Sequence, residues 1–387
     1  MRVIALIGLL AGYVTTLPLW LGETPRSFPP APLLHLDPSI TRLDIWGFLL
    51  FPITVFSMVF PRRCTLCVVI ISFSFLILLN TNRLQPYTFQ YLLMLLVLCT
   101  KTSGSITDVE IAKKSQITSS TILVILSSVW FWSGIQKINL RFFEMGVPWF
   151  AEPALLMLPE QYTLIVYLGV TLAPIVETTS AILLLFPRTR SYGAVTLVLM
   201  HISILLILGP LGRGFNSSVW SWNLAMIGFL VLIHRYRVRV HTLPLFKCSW
   251  HWRTLLQLLV IGLSCAAPLL NFFHRWPDYL SHSLYSWATM EGRVYVRDTD
   301  APSLFLSELP ITEYNGNDNR VYFDLDDWSY ATNNSPSFPH EAGYRLAFQK
   351  LCGRSTDLEL ALFDRVNRLT GERRIRTYRC QDASHYQ

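Results

Sequence analysis

Apolar blocks about as long as a bilayer core is thick recur through the first 273 residues, and they constrain the fold of this chain more than any other feature. A helix needs about 20 predominantly apolar residues to cross ~30 Å of hydrocarbon. Blocks approaching that length run approximately over 3–20, 43–60, 64–80, 84–100, 118–138, 164–186, 191–208, 219–234 and 254–273. The reading is a mainly α fold, with a polytopic bundle of about nine transmembrane helices over 1–273. Only 15% of the 387 residues are charged, against 52% hydrophobic, whereas a soluble domain averages about 25% charged. The charges crowd toward the C-terminus, which marks 281–387 as a soluble domain in a different solvent.

The net charge of +7 does not indicate a nucleic-acid partner, because the basic residues sit in short loops between apolar blocks rather than on one face. They read instead as orientation signals. Arg235, Arg237, Arg239, Lys247 and Arg253 form the densest positive cluster beside any span, which places that loop in the cytoplasm. Alternation then puts thirteen basic residues inside, including Arg62, Arg63, Lys101, Lys113, Lys114, Arg188 and Arg190. It leaves six outside: Arg26, Arg42, Arg83, Lys137, Arg141 and Arg213. The expected protein is multi-pass in a plasma or inner membrane, with its N-terminus cytoplasmic and its C-terminal domain extracytoplasmic. The first block also fits a cleaved signal peptide, but Thr15 to Leu21 offers no small-residue cleavage site, which favours a retained helix.

Within 281–387, short runs bounded by turn residues predict strands at Gly292–Arg297, Asn319–Leu325, Leu358–Phe363 and Arg373–Cys380, with an amphipathic helix between Phe338 and Cys352. A small α+β domain follows. Cys352 and Cys380 are its only cysteines, so an oxidising compartment would join them as a disulfide; a cytoplasmic tail would leave two thiols. Cys64 and Cys67 make a CxxC that opens an apolar helix and reads as packing. No ligand set recurs at metal-binding spacing, so no metal site is expected.

Ionisable residues inside a span are costly unless paired or wetted, which makes each one a functional candidate. Lys137, Glu177 and His201 are the candidates for catalysis, and Trp220, Trp222, Asn223, Gln85 and Gln90 for lining a substrate site. Each has a plainer alternative. Lys137 at a helix end can snorkel to the interface, Glu177 and His201 can be interhelical contacts, and the tryptophans, with Trp130 and Trp132, can form an aromatic belt. Gly134 and Ser133 fit a close helix approach. Together the polar residues fit a shared volume in the outer half of the membrane. There a lysine desolvated by an apolar pocket favours its neutral amine, the form that accepts a proton.

The segment Ser133-Gly-Ile-Gln-Lys-Ile-Asn139, followed by an aromatic-rich stretch, resembles the Gly-x-x-Lys-Leu-(Asn/Asp) segment of the HTTM membrane family related to vitamin K-dependent γ-carboxylase. Arg83-Leu-Gln-Pro-Tyr-Thr-Phe-Gln-Tyr91, Gly209-Pro-Leu-Gly212 and Val219-Trp-Ser-Trp-Asn-Leu224 are similar to bacterial membrane proteins described as HTTM-like or DoxX-like. The resemblance covers roughly 40–235. It implies that Lys137 is the base that deprotonates a reduced quinone, with the active site on the non-cytoplasmic side.

Two functions follow as expectations. One is a membrane enzyme in which Lys137 takes a proton from a lipid-soluble quinol, with Glu177 and His201 setting its protonation. The other is a non-enzymatic accessory protein whose external domain binds an envelope or secreted partner. The expected partners are the lipid bilayer and a lipophilic small molecule; the cofactor is unassigned beyond a quinone or quinol.

Overall fold

The computed structural model describes residues 1–21, 26–33, 44–60, 62–100, 108–236, 252–297, 312–313, 320–355 and 357–383. Arg42, Lys101, Arg237, Arg239 and Lys247, which contribute to the orientation reading, lie outside the described residues. The chain forms two compact units. One comprises 1–12, 50–73 and 85–287; the other comprises 13–49, 74–84 and 288–387.

Among the described residues, five helices are long and apolar enough to cross a membrane, which corrects the expectation of about nine. They are Gln116–Lys137, Glu160–Leu185, Arg190–Leu208, Ser217–Arg235 and Trp252–Phe273. The blocks expected at 3–20, 43–60, 64–80 and 84–100 are instead helices α1 (Arg2–Thr15), α3 (Asp44–Val59), α4 (Arg63–Leu79) and α5 (Pro86–Cys99), of 14 to 17 residues. At 1.5 Å per residue they reach only about 21–26 Å. Local chemistry ends them early. After α1 the chain breaks into the five-residue α2 (Leu17–Leu21). Between α4 and α5, Asn80 caps a single 3-10 turn by accepting from the Asn82 amide, and Pro86 then restarts the helix at its first turn.

In the first unit the long helices are α6 (Asp108–Lys137), α8 (Thr163–Leu185), α9 (Arg190–Leu208) and α10 (Ser217–Arg235), with α7 (Val147–Met157) and α11 (Trp252–Ile261) beside them. The α6 span is 72% buried and forms the centre of the unit, whereas α8 and α9 bury about a third or less of theirs. On α9, Tyr192, Val195, Leu199, Ile202 and Leu206 recur at alternating steps of three and four residues and are 42% to 73% exposed. Such a continuous apolar stripe suits hydrocarbon, not water. Small residues set the helix spacing. A Cβ at Gly134 on α6 would lie 2.2 Å from Thr178 Oγ1 and 2.6 Å from the Pro174 carbonyl oxygen, both on α8. One at Gly193 on α9 would lie 2.7 Å from the Ser180 carbonyl oxygen.

The second unit is built on a five-stranded antiparallel sheet of order β2-β3-β1-β4-β5. Its strands are β1 (Glu291–Arg297), β2 (Thr312–Glu313), β3 (Arg320–Asp324), β4 (Leu358–Phe363) and β5 (Ile375–Arg379). Alternate residues Val294, Val296, Val321, Phe323, Leu358, Leu360 and Leu362 enter one core with Trp328 of α12 (Leu325–Asn333) and with Tyr344, Phe348 and Leu351 of α13 (Glu341–Cys352). Phe28, far upstream, joins this core and packs edge-on to Trp328 at 5.2 Å between ring centroids. Trp328 Nε1 donates to the Arg26 carbonyl, and Asn82 Oδ1 accepts from the Phe338 amide. Cys352 and Cys380, at the start of the short α14 (Cys380–Ala383), are disulfide-bonded with Cα atoms 5.5 Å apart.

Candidate functional site

The interior of the first unit holds a cavity of about 70 Å³, room for several waters or part of a larger ligand. Its wall brings together Ser133 and Lys137 of α6, Glu177 of α8, His201 of α9 and Trp222 and Asn223 of α10, with Tyr285 and His282 from the segment after α11. Five of the eight residues singled out in the sequence therefore converge here. Of the others, Gln90 stands one bond behind the wall, its Oε1 accepting from Trp222 Nε1 at 2.8 Å. Trp220 turns to the Leu208 and Phe215 carbonyls, and Gln85 is buried at the start of α5; neither lines the cavity.

Lys137 donates to Glu177 Oε2 at 2.9 Å, to Ser133 Oγ at 2.6 Å and to the Ser133 carbonyl at 3.1 Å. Three acceptors use the three protons of an ammonium, so the arrangement is that of a satisfied ion pair. The pair is largely withdrawn from solvent, with side chains 15% and 8% exposed. It depends on the close approach at Gly134: Lys137 lies three residues along α6 from the glycine, and Glu177 is next to Thr178 on α8.

His201 is held at both nitrogens. An indole can only donate, so Trp130 Nε1 at 2.7 Å fixes His201 Nε2 as the acceptor. Nδ1 then carries the proton and donates to Asn223 Oδ1 at 2.6 Å, while Asn223 Nδ2 donates to the Val219 carbonyl at 2.7 Å. This chain fixes one neutral tautomer and leaves no ring nitrogen for a ligand. In this geometry His201 positions α9 against α6 and α10 and forms the cavity wall, instead of taking a proton.

His282 is the residue that the sequence reading missed. It is 2% exposed, lines the cavity, and among the described residues its Nδ1 is sealed from solvent with no hydrogen-bond partner. Burial and the neighbouring Lys137 ammonium push its imidazole down to about 3, so the ring is neutral. Its backbone is left-handed, at φ 57°, and so are Tyr285 (58°) and Trp287 (54°), three side-chain-bearing residues in six positions. Such conformations cost about 1–3 kcal/mol each and persist where surroundings enforce them. Here the Asp278 carbonyl accepts from the Ser281 and Ser283 amides, and Tyr285 Oη accepts from Asn216 Nδ2 at 2.9 Å. Tyr285 also stacks on Trp149 with ring centroids 5.9 Å apart. No periodicity marks this segment; its only sequence signal is a histidine between two serines, followed by Tyr285 and Trp287, after the last apolar block.

Among the described residues no group of histidines, cysteines and carboxylates could hold a metal ion. No family model, curated protein or solved structure matches the chain.

Proposed function

We propose that this chain is a multi-pass membrane enzyme of the HTTM type in which the Lys137–Glu177 pair takes a proton from a lipid-soluble quinol or a related hydroxyl-bearing substrate. The observation that carries the reading is the cavity that joins this buried pair to neutral His282, whose Nδ1 has no hydrogen-bond partner among the described residues. An orphaned buried nitrogen costs about 1–3 kcal/mol, and a ligand oxygen would relieve that cost. The proton transfer is local. Passage of a proton along the 2.9 Å bond from Lys137 Nζ to Glu177 Oε2 leaves a neutral amine beside a neutral carboxyl, a pair that a low-dielectric site penalises less than water does. The amine then accepts the substrate hydroxyl proton, and the reformed ammonium stabilises the oxyanion. His282 holds that oxygen, and Trp222 and Tyr285 flank the ring. The positive-inside pattern supports a cytoplasmic N-terminus and an extracytoplasmic C-terminal domain, in a plasma or inner membrane.

Full-length protein in nanodiscs should release a quinone on solvent extraction, and should accelerate oxygen uptake by menadiol, which oxidises through its anion. Lys137→Arg keeps the charge but removes a proton acceptor. Its expected rate is that of empty nanodiscs; a wild-type rate in that variant overturns the base assignment.

A further inference from the structure

Cys64 and Cys67 lie at the start of α4, and Cys99 is the last residue of α5. All three belong to the first unit. Spacing in the sequence pairs Cys64 with Cys67, but the structure brings Cys67 to a different partner. Its Sγ lies 4.0 Å from Cys99 Sγ, across a separation of 32 residues. The two thiols differ in access: Cys67 is exposed, whereas Cys99 is 7% exposed. An exposed thiol meets a reagent, and a thiol in contact behind it can displace what the first has bound.

Two guanidinium groups stand near this pair. Arg2 of α1 donates to the Ser57 and Phe60 carbonyls at the end of α3. Arg63, at the start of α4, has Nε and Nη2 sealed from solvent with no hydrogen-bond partner among the described residues. Burial holds Cys99 in its thiol form and the neighbouring Cys67 adds to that, while the charges of Arg2 and Arg63 pull toward the thiolate. Cys67 is therefore the sulfur that reacts first, and Cys99 the one that follows.

We propose that Cys67 and Cys99 form a reversible disulfide by exchange with a small-molecule disulfide, a modification site independent of the proton transfer proposed above. The Cys67 thiolate attacks one sulfur of the reagent and expels the other as a thiolate, which leaves a mixed disulfide on Cys67. Cys99, deprotonated beside the two guanidinium groups, then attacks Cys67 Sγ and expels the second small thiolate. The two cysteine protons end on the two small thiols, so the protein loses two electrons and the reagent gains them. The sulfurs close from 4.0 Å to about 2 Å, and the bond ties α4 to α5.

The test uses the full chain in nanodiscs, equilibrated in mixtures of oxidised and reduced glutathione and then denatured in N-ethylmaleimide to block every remaining thiol. Trypsin cuts after Arg63, Arg83 and Lys101, so Cys64 and Cys67 leave on one peptide and Cys99 on the next. Mass spectrometry should find these two peptides cross-linked, in Cys64→Ser as in wild type, and separate in Cys67→Ser. Maleimide labelling of Cys99 should fall about tenfold for each tenfold rise in the oxidised form at fixed reduced glutathione, once the link predominates, and recover in excess reduced glutathione. Free Cys67 and Cys99 in the most oxidising mixture overturn the proposal. So does oxidation that stops at glutathione on Cys67, a disulfide between Cys64 and Cys67 within one peptide, a link lost in Cys64→Ser, or a link found only in disulfide-joined dimers.

Discussion

Replacing Gly134 by alanine adds one methyl group where α6 meets α8, and the structure sets the size of the effect. The new Cβ would stand 2.2 Å from Thr178 Oγ1, 2.6 Å from the Pro174 carbonyl oxygen and 2.9 Å from the Thr178 amide nitrogen. Real carbon–oxygen contacts lie beyond ~3 Å, so the helices must separate by about 1 Å. Overpacking of that kind costs about 1–3 kcal/mol. It also stretches the 2.9 Å Lys137–Glu177 bond, which lies one turn from the contact. A total loss of about 2–4 kcal/mol corresponds to a fall in Tm of roughly 5–15 °C for a unit of this size. Thermal unfolding in detergent, followed by near-ultraviolet circular dichroism, reads it directly, and menadiol-dependent oxygen uptake should fall in the same variant. Thr178→Ala in the Gly134→Ala background removes the hydroxyl clash but leaves the Pro174 carbonyl in place, so the rescue should be partial. A Tm within 1 °C of wild type for Gly134→Ala, or full rescue by Thr178→Ala, would refute a backbone-close crossing of α6 and α8.

Three further outcomes are expected. Lys137→Met or Glu177→Met alone leaves a buried unpaired charge and should cost about 3–5 kcal/mol, while the double variant recovers most of the stability and none of the menadiol activity; chemical denaturation of all three checks it. His282→Asn suits the left-handed backbone but shortens the side chain, so the fold should survive with menadiol affinity lowered about tenfold, measured by tryptophan quenching. In the second unit, burial raises Asp326 to about 7 and Asp327 to about 6. The folded state thus keeps protons that the unfolded chain releases near pH 4, and stability from these groups is lost as pH rises from about 4 through 7. Amides of β1 and β3 should exchange roughly tenfold faster at pH 8 than at pH 5 after correction for intrinsic rates, and Asp326→Asn should flatten that difference.

Period-based features were legible in the sequence. The strand expected at Leu358–Phe363 has those limits, and the helix before Cys352 begins at Glu341. These elements alternate between water and one core, so their pattern reports their environment. Hydropathy was less informative for the first hundred residues, because it registers that a side chain leaves water without saying whether it meets lipid or protein. Arg83 illustrates the difference: it is 9% exposed, with Nε donating to the Leu19 carbonyl and Nη1 to the Leu76 carbonyl, which ties two stretches of the second unit together. The cavity was half legible. The cost of ionisable groups in spans identified Lys137, Glu177 and His201, but whether a histidine is poised or tied depends on partners 71 and 22 residues away, Trp130 and Asn223. His282 lies outside any regular element, where neither period nor hydropathy speaks.

The composite origin of the second unit bears on how the protein is made. Trp328 bonds to the Arg26 carbonyl across a separation of 302 residues. At synthesis rates of about 5–20 residues per second, that partner arrives roughly 15–60 s after the first. Throughout that interval Phe28 and its neighbours have no core to enter, while the intervening helices are being placed in the bilayer. The last hundred residues close a domain begun before the first long span existed. A ribosome stalled late, or a frameshift after the final helix, would leave an inserted protein with its early segments unsatisfied, a ready substrate for quality-control proteases.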